Sequence, residues 1–388
     1  MKKILSLFII YIFNCLPIKK NKVFLFSYYG SQYGCNPKYI ADYMVNNDPH
    51  KKFDVVWAFN NYGPRRNLGN VRRVKTMSLK YFYELCTAKV VITNYRTTDL
   101  FVKRKKQYYI QTWHSSLRLK QIEKDAEYAL PRSYVQMAKN DSLKCDLLLS
   151  GCKFSTDIFK RAFWYGGEIF EHGTPRNDLL LLGNPNKREE VLKKLMISPS
   201  SKVLLYAPTF RKDHGLEFYD LNYPKLVEEL KRKFGGEWVV LVKLHPHLES
   251  KANQIVYGEN VINVTSYDDI QELLLSADIL ISDYSSLIFD FSITNRPCFL
   301  YIPDLVEYTG SDRKLYFDIA ELPFISARTN SNLLEKINQF DVEVYEERLQ
   351  KFLKQIGSYE EGKASECLLK RIDDVCFSKG KEDIYEAI

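Results

Sequence analysis

Two of the six histidines close short apolar runs in separate halves of the chain. One is His114, in Ile110-Gln111-Thr112-Trp113-His114-Ser115-Ser116, and the other is His245, in Val240-Leu241-Val242-Lys243-Leu244-His245-Pro246. Imidazole titrates near neutrality, so a neutral His114 could take a proton from an attacking alcohol. Strand alternation puts Lys243 and His245 on one face, where two cationic or donor groups suit a phosphate, and Pro246 then ends the strand. A zinc site at His245 and His247 lacks further ligands at suitable spacing.

Three more clusters carry groups suited to anions. Ser282-Asp283-Tyr284-Ser285-Ser286-Leu287-Ile288-Phe289-Asp290 reads as a strand end followed by an apolar helix. Backbone N–H groups at that helix start, beside Ser285 and Ser286, would form a pyrophosphate site, and Asp290 could receive a hydroxyl from a sugar or polyol. Ala207-Pro208-Thr209-Phe210-Arg211 and Gly173-Thr174-Pro175-Arg176-Asn177-Asp178 each offer an arginine, the side chain best shaped to grip phosphate oxygens bidentately. Taken singly, each has an ordinary reading: a packed histidine beside a tryptophan, a serine helix cap, a surface arginine.

The elements that must hold these groups alternate. Strand-like runs at 23–27, 54–59, 88–93, 108–112 and 145–150 flank helix-compatible stretches such as 37–46 and 78–87. A turn cluster at Gly183-Asn184-Pro185-Asn186 precedes a charged helix at 187–196, and a second strand series follows at 202–207, 238–243, 261–264, 279–282 and 297–301. Such alternation implies parallel sheets covered on both faces. The expected fold class is α/β, with two Rossmann-like doubly wound domains, 22–185 and 200–360, facing a central cleft where ligands meet the carboxyl ends of strands. Residues 361–388 are expected as a helical tail.

At 388 residues the chain suits two domains rather than one core. Its net charge of +8 is uneven: residues 1–125 hold 23 of the 56 Lys and Arg but 7 of the 48 Asp and Glu. The front is expected to face something anionic, whether membrane headgroups, nucleic acid or a phosphate polymer; the other reading is a solvated basic face without a dedicated ligand. Eight cysteines without a CxxC pair suggest a reduced, cytosolic protein. Lys2-Lys3, an apolar stretch over 4–16 and Lys19-Lys20-x-Lys22 are too short to span a bilayer comfortably. An in-plane helix at 1–21, held against anionic lipid by its lysines, fits better; the other reading is a helix packed on the first domain.

In this order, Asn36-Pro37-Lys38-Tyr39, Trp113-His114, Gly173-x-Pro175-Arg176-Asn177-Asp178, Ala207-Pro208-Thr209-x-Arg211, Lys243-x-His245-Pro246 and Ser282-Asp283-Tyr284-Ser285-Ser286-x-x-x-Asp290 resemble the CDP-glycerol glycerophosphotransferase family over roughly 22–360. The resemblance implies a GT-B fold at the cytoplasmic face of a bacterial membrane. It also implies teichoic acid or capsule synthesis, in which an acceptor hydroxyl attacks the β-phosphorus of CDP-glycerol or CDP-ribitol and CMP leaves. The acceptor would be a prenyl-diphosphate-linked saccharide or growing phosphopolymer. By matching positions, His114 would be the base and His245 would hold the pyrophosphate. Arg211, Ser285 and Ser286 would bind phosphates, Asp290 the alditol, and Arg176 with Asn177 would line the cleft. The family commonly carries Gly-Thr after its Trp-His, where this chain has Ser115-Ser116; the added side chain bears on donor or acceptor identity.

No GxGxxG or GxxxxGK[ST] motif supports nicotinamide or P-loop chemistry. There is no Asp-x-Asp metal motif either, so no metal or other cofactor is expected to be obligatory. A GT-B glycosyltransferase using a nucleotide sugar is the second enzyme reading. A non-catalytic binder of anionic polymer or nucleic acid, through a run such as Lys103-Arg104-Lys105-Lys106, is the third. The clustered motifs in the acidic half oppose it, and no nucleic-acid partner is expected.

Overall fold

The computed structural model describes residues 2–61, 68–211, 219, 221–245, 248, 258–311 and 314–378. Two all-parallel sheets form the frame. The first has seven strands: β1 (Lys19–Phe26), β2 (Asp54–Phe59), β3 (Arg72–Lys75), β4 (Ala88–Thr93), β5 (Tyr108–Gln111), β6 (Leu147–Leu149) and β7 (Glu168–Phe170), in the order β3-β2-β1-β4-β5-β6-β7. The second has six: β8 (Lys202–Tyr206), β9 (Trp238–Val242), β10 (Val261–Asn263), β11 (Ile279–Ser282), β12 (Cys298–Tyr301) and β13 (Ile325–Ala327), ordered β10-β9-β8-β11-β12-β13. Each sheet reverses direction beside its own first strand, the doubly wound order with its crevice at the reversal.

Burial explains which strands were legible. Val23, Phe24 and Leu25 of β1 and Val203, Leu204 and Leu205 of β8 are fully buried, as expected of central parallel strands covered on both faces. The expectations missed β3, β7 and β13, all edge strands. β3 reads Arg-Arg-Val-Lys with only Val74 buried, so it lacks the apolar run that marks an interior strand.

Helix ends follow their capping residues. Ser78 accepts from the Tyr81 N–H at 3.1 Å and starts helix Leu79–Thr87. Asn184 accepts from the Lys187 N–H at 2.9 Å, so the helix at the domain junction is Pro185–Lys194, two residues ahead of its expected start. Helix Val342–Ile356 stops at Gly357, whose φ of +62° suits glycine. An added Cβ there would lie 2.9 Å from Lys153 Cβ.

That stop turns the chain back to the first domain. Gly357 O accepts from Lys153 N at 2.8 Å, and Tyr359 N donates to Gly151 O at 2.9 Å. Helix Ala364–Phe377 then buries Leu368, Ile372 and Cys376 in the core around β1, β2 and β4. The expected tail at 361–388 is thus corrected over 364–377: this segment completes the first domain, because its apolar stripe covers a sheet face otherwise open to water. Residues 379–388 lie outside the described residues.

The N-terminal helix, Lys2–Asn14, packs on helix Leu79–Thr87 through Ile10, Phe82 and Cys86. Its other side leaves Ile4, Leu5, Phe8, Tyr11 and Ile12 exposed. No helix among the described residues is long and apolar enough to cross a membrane.

Candidate functional site

A cleft of about 1110 Å³ opens where the two sheets present their carboxyl ends to each other. From the first domain it takes Tyr28 and Tyr29 after β1, Tyr95 and Arg96 after β4, and Trp113, His114, Ser115 and Arg118 after β5. The second domain contributes Ala207 to Phe210 after β8, Lys243 and His245 after β9, and Ser285 and Ser286 after β11. Each set sits around its sheet's reversal point, where the loops diverge and leave room for a ligand.

His114 is oriented by one backbone carbonyl. Its Nδ1 lies 3.2 Å from Asn94 O, and a carbonyl only accepts, so Nδ1 carries the proton and the neutral ring keeps its lone pair on Nε2. The ring stacks on Trp113 at 4.5 Å and on Tyr95 at 5.2 Å between centroids. Asn94 also accepts from Tyr28 N at 3.0 Å through its side chain, tying the loops after β1, β4 and β5 together.

Backbone strain concentrates here. Tyr28, Tyr29, Cys35, Trp113 and Glu123 all line the cleft with positive φ, a region costly for residues bearing a Cβ. Asn36 stabilises Trp113 by donating to the carbonyls of Thr112 and Trp113, both at 3.3 Å. Beneath it the Arg96 guanidinium, paired with Glu123 and Asp141, lies 5.8 Å from the indole. Gly151 backs onto the same loop: an added Cβ would meet Ser116 Cβ at 2.5 Å.

On the opposite wall, Lys243 Nζ donates to the carbonyls of Thr265 at 2.5 Å and Tyr267 at 2.7 Å. His245 sits against Phe210, 5.4 Å between ring centroids. Ser285 Oγ accepts from Leu287 N at 3.3 Å, and Ser286 starts helix Leu287–Ser292 without a side-chain capping bond. Pro246, expected to end the strand, and His247, weighed with His245 as a zinc ligand, lie outside the described residues.

Three expected ligand residues have different surroundings. Arg211 is buried, with Nε and Nη2 on Asp304 at 2.9 and 3.1 Å and Nη1 on Asp283 and on Thr209 O. With its donors taken by two carboxylates it braces the loop after β8 and does not line the cleft. Asp290 is fully buried, held by Arg176, by Ser116 Oγ at 3.0 Å and by Asn177 Nδ2 at 3.3 Å. Asn177 is equally buried and also donates to Glu360 at 3.0 Å while accepting from Gln271 at 2.7 Å. Neither lines the cleft; of that group only Arg176 reaches it. They bridge the domains instead, and Ser116 supplies one of the bridging hydroxyls.

Several cleft residues escaped the sequence reading: Tyr28, Tyr29, Tyr95, Arg118, Lys120 and Tyr134. The signal was available, since the first three follow directly on β1 and β4 as His114 follows β5. Burial pushes the Tyr29 hydroxyl up to about 12, so it stays a neutral donor at pH 7.

Most of the chain, and not only the cleft, matches known proteins. Residues 8–374 fit the family described as CDP-Glycerol:Poly(glycerophosphate) glycerophosphotransferase. A teichoic acid poly(glycerol phosphate) polymerase of Bacillus spizizenii is 30% identical, the match covering 93% of this chain and 94% of that one. A teichoic acid glycerol-phosphate transferase of Staphylococcus aureus is 31% identical over 91% and 93%. Against two longer polymerases, from Bacillus subtilis and Staphylococcus epidermidis, the chain spans 44% and 50% of their length. A variant of the wall teichoic acid polymerase TagF, soaked with CDPG, superposes with a TM-score of 0.82 at 30% identity, covering 92% of this chain and 90% of that one. The two facing Rossmann-like domains are therefore GT-B-like, and the chain belongs to the CDP-glycerol:poly(glycerophosphate) glycerophosphotransferase family.

Proposed function

We propose that this transferase moves glycerol phosphate or ribitol phosphate from a CDP-alditol to a hydroxyl of a lipid-linked saccharide or growing phosphopolymer, releasing CMP. The observation that carries the reading is the His114 imidazole, its Nδ1 3.2 Å from Asn94 O, in the same cleft as His245, Lys243, Ser285 and Ser286. Nε2 takes the acceptor's proton as its oxygen bonds to the β-phosphorus; the bond from that phosphorus to the oxygen bridging to the α-phosphorus breaks, and CMP carries away the electron pair. His245 and the serine loop hold the pyrophosphate, so positioning and positive charge supply most of the rate.

The reading extends to location. The side of helix Lys2–Asn14 that carries Ile4, Leu5, Phe8, Tyr11 and Ile12 lies in the headgroup region of the membrane's cytoplasmic face, with Lys19 and Lys20 toward anionic lipid. There the cleft meets a prenyl-linked acceptor.

The test incubates the full chain with CDP-glycerol or CDP-ribitol and a prenyl-diphosphate-linked saccharide, following CMP release and acceptor mass. CMP release no higher than that of His114→Ala with both donors refutes the reading.

A further inference from the structure

Four arginines are buried among the described residues: Arg96, Arg118, Arg176 and Arg211. Three of them are matched to carboxylates: Arg96 to Glu123 and Asp141, Arg176 to Asp290, Arg211 to Asp283 and Asp304. Arg118 has no carboxylate partner among the described residues, although it is 2% exposed. Its Nη2 donates to Ser115 O at 3.0 Å and Ser115 Oγ at 3.2 Å, while Nε and Nη1 are buried without any hydrogen-bond partner. The plane lies over Phe159, 4.5 Å from the ring centroid.

A buried cation left with unused donors is costly unless something anionic completes it. Burial pushes the guanidinium down to about 10, the direction expected where nearby negative charge is too small to offset desolvation. Arg118 lines the cleft four residues after His114, on the wall formed by the first domain. The Ser115 hydroxyl helps to orient it, so the orphaned guanidinium and the residue directly after His114 belong to one local arrangement.

Building on the proposed phosphotransfer, we propose that Arg118, oriented by Ser115, is a phosphate-binding residue of the cleft, its unpaired Nε and Nη1 taking oxygens of a substrate phosphate. The planar fork matches two such oxygens, and charge-assisted bonds of this kind are among the stronger ones. The oxygens come either from the donor's pyrophosphate or from a phosphate ester at the acceptor's end.

The experiment titrates the full chain calorimetrically with inorganic pyrophosphate and with CDP-glycerol. It also measures transfer to two acceptors, one ending in glycerol phosphate and one in an unphosphorylated sugar hydroxyl. Arg118→Gln is expected to weaken pyrophosphate and CDP-glycerol about tenfold or more if the oxygens are the donor's. If they are the acceptor's, donor binding stays unchanged and KM rises about tenfold for the phosphate-ended acceptor alone. Unchanged binding and unchanged KM for both acceptors overturn the proposal.

Arg118→Gln removes an unpaired buried charge, so its Tm should stay within a few degrees of wild type; a purely structural brace would lower Tm and leave affinities alone. If Arg118→Gln does not fold, Arg118→Lys, which keeps the charge and loses the fork, decides by the same titrations. Wild-type protein that binds pyrophosphate but yields no CMP from either CDP-alditol refutes the proposed activity, and the pyrophosphate comparison still judges Arg118.

Discussion

Arg176 of helix Pro175–Leu182 and Asp290 of helix Leu287–Ser292 form a buried ion pair that joins the two domains beneath the cleft. The carboxylate also accepts from Ser116 and Asn177, so one group from the second domain holds three from the first. Removing one partner of such a pair leaves the other charged and dry, at a cost of about 3–5 kcal/mol. Asp290→Ala should therefore lower the urea midpoint sharply, whereas Arg176→Met with Asp290→Leu should recover part of the loss. Strictly additive losses would show that the two residues do not act as a pair.

His114 is the second point of leverage. Loss of a general base typically costs about 10²–10⁴ in rate. His114→Ala should lower kcat by that order while CDP-glycerol binding, measured without acceptor, changes less than about threefold. Because protonated Nε2 cannot accept a proton, the wild-type rate should fall toward acid pH, and that limb should vanish from the residual rate of the variant. A large loss of donor affinity with kcat preserved would reassign His114 to binding.

Much of this was legible because parallel α/β sheets write their interior strands as apolar runs: β1, β2, β4, β8, β9 and β11 could be read from composition alone. Edge strands were harder: β10 was read, but β3 and β7 each bury a single side chain, Val74 and Phe170, and otherwise resemble loops. The same limit acted on the site. Residue type and strand-end position were enough to place His114, His245, Lys243 and the two serines at one cleft. They were not enough for Asp290 or Arg211, because a charged side chain facing a ligand and one buried against an opposite charge look alike in sequence. What separates them is tertiary pairing: Arg211 with Asp304 spans 93 residues and Arg176 with Asp290 spans 114. No local pattern encodes either.

In the proposed reaction the positive charge around the transferred phosphate would come from Lys243 and Arg118, without an ion. Transfer should continue in excess EDTA at more than about half the rate seen with magnesium. Complete loss in chelator, restored by magnesium, would overturn a metal-independent mechanism.

The N-terminal helix gives a prediction separable from catalysis. Phe8 and Tyr11 are 63% and 61% exposed, whereas Ile10 is packed. Ile4→Glu with Phe8→Glu should therefore leave the fold and soluble-acceptor turnover intact while weakening sedimentation with anionic vesicles about tenfold, by lost apolar insertion and added repulsion. Replacing Ile10 should instead lower Tm. Equal vesicle binding by wild type and the double variant would leave the exposed face without a lipid role.

Glu360 ties the returning chain to the first domain, accepting from Thr174 N at 3.1 Å, Thr174 Oγ1 at 2.7 Å and Asn177 Nδ2 at 3.0 Å. Burial pushes its carboxyl up to about 8, with the nearby charge of Asp290 acting in the same direction against those hydrogen bonds. A folded-state value above the unfolded one means that the folded chain holds the proton more tightly. The stabilisation is therefore complete below the unfolded value and is lost as pH rises through about 8. Wild type should lose denaturation midpoint steadily between pH 5 and pH 9, and Glu360→Gln, which stays neutral, should flatten that slope. Parallel pH profiles for the two proteins would mean that Glu360 is ionised throughout, with its three donors outweighing its burial.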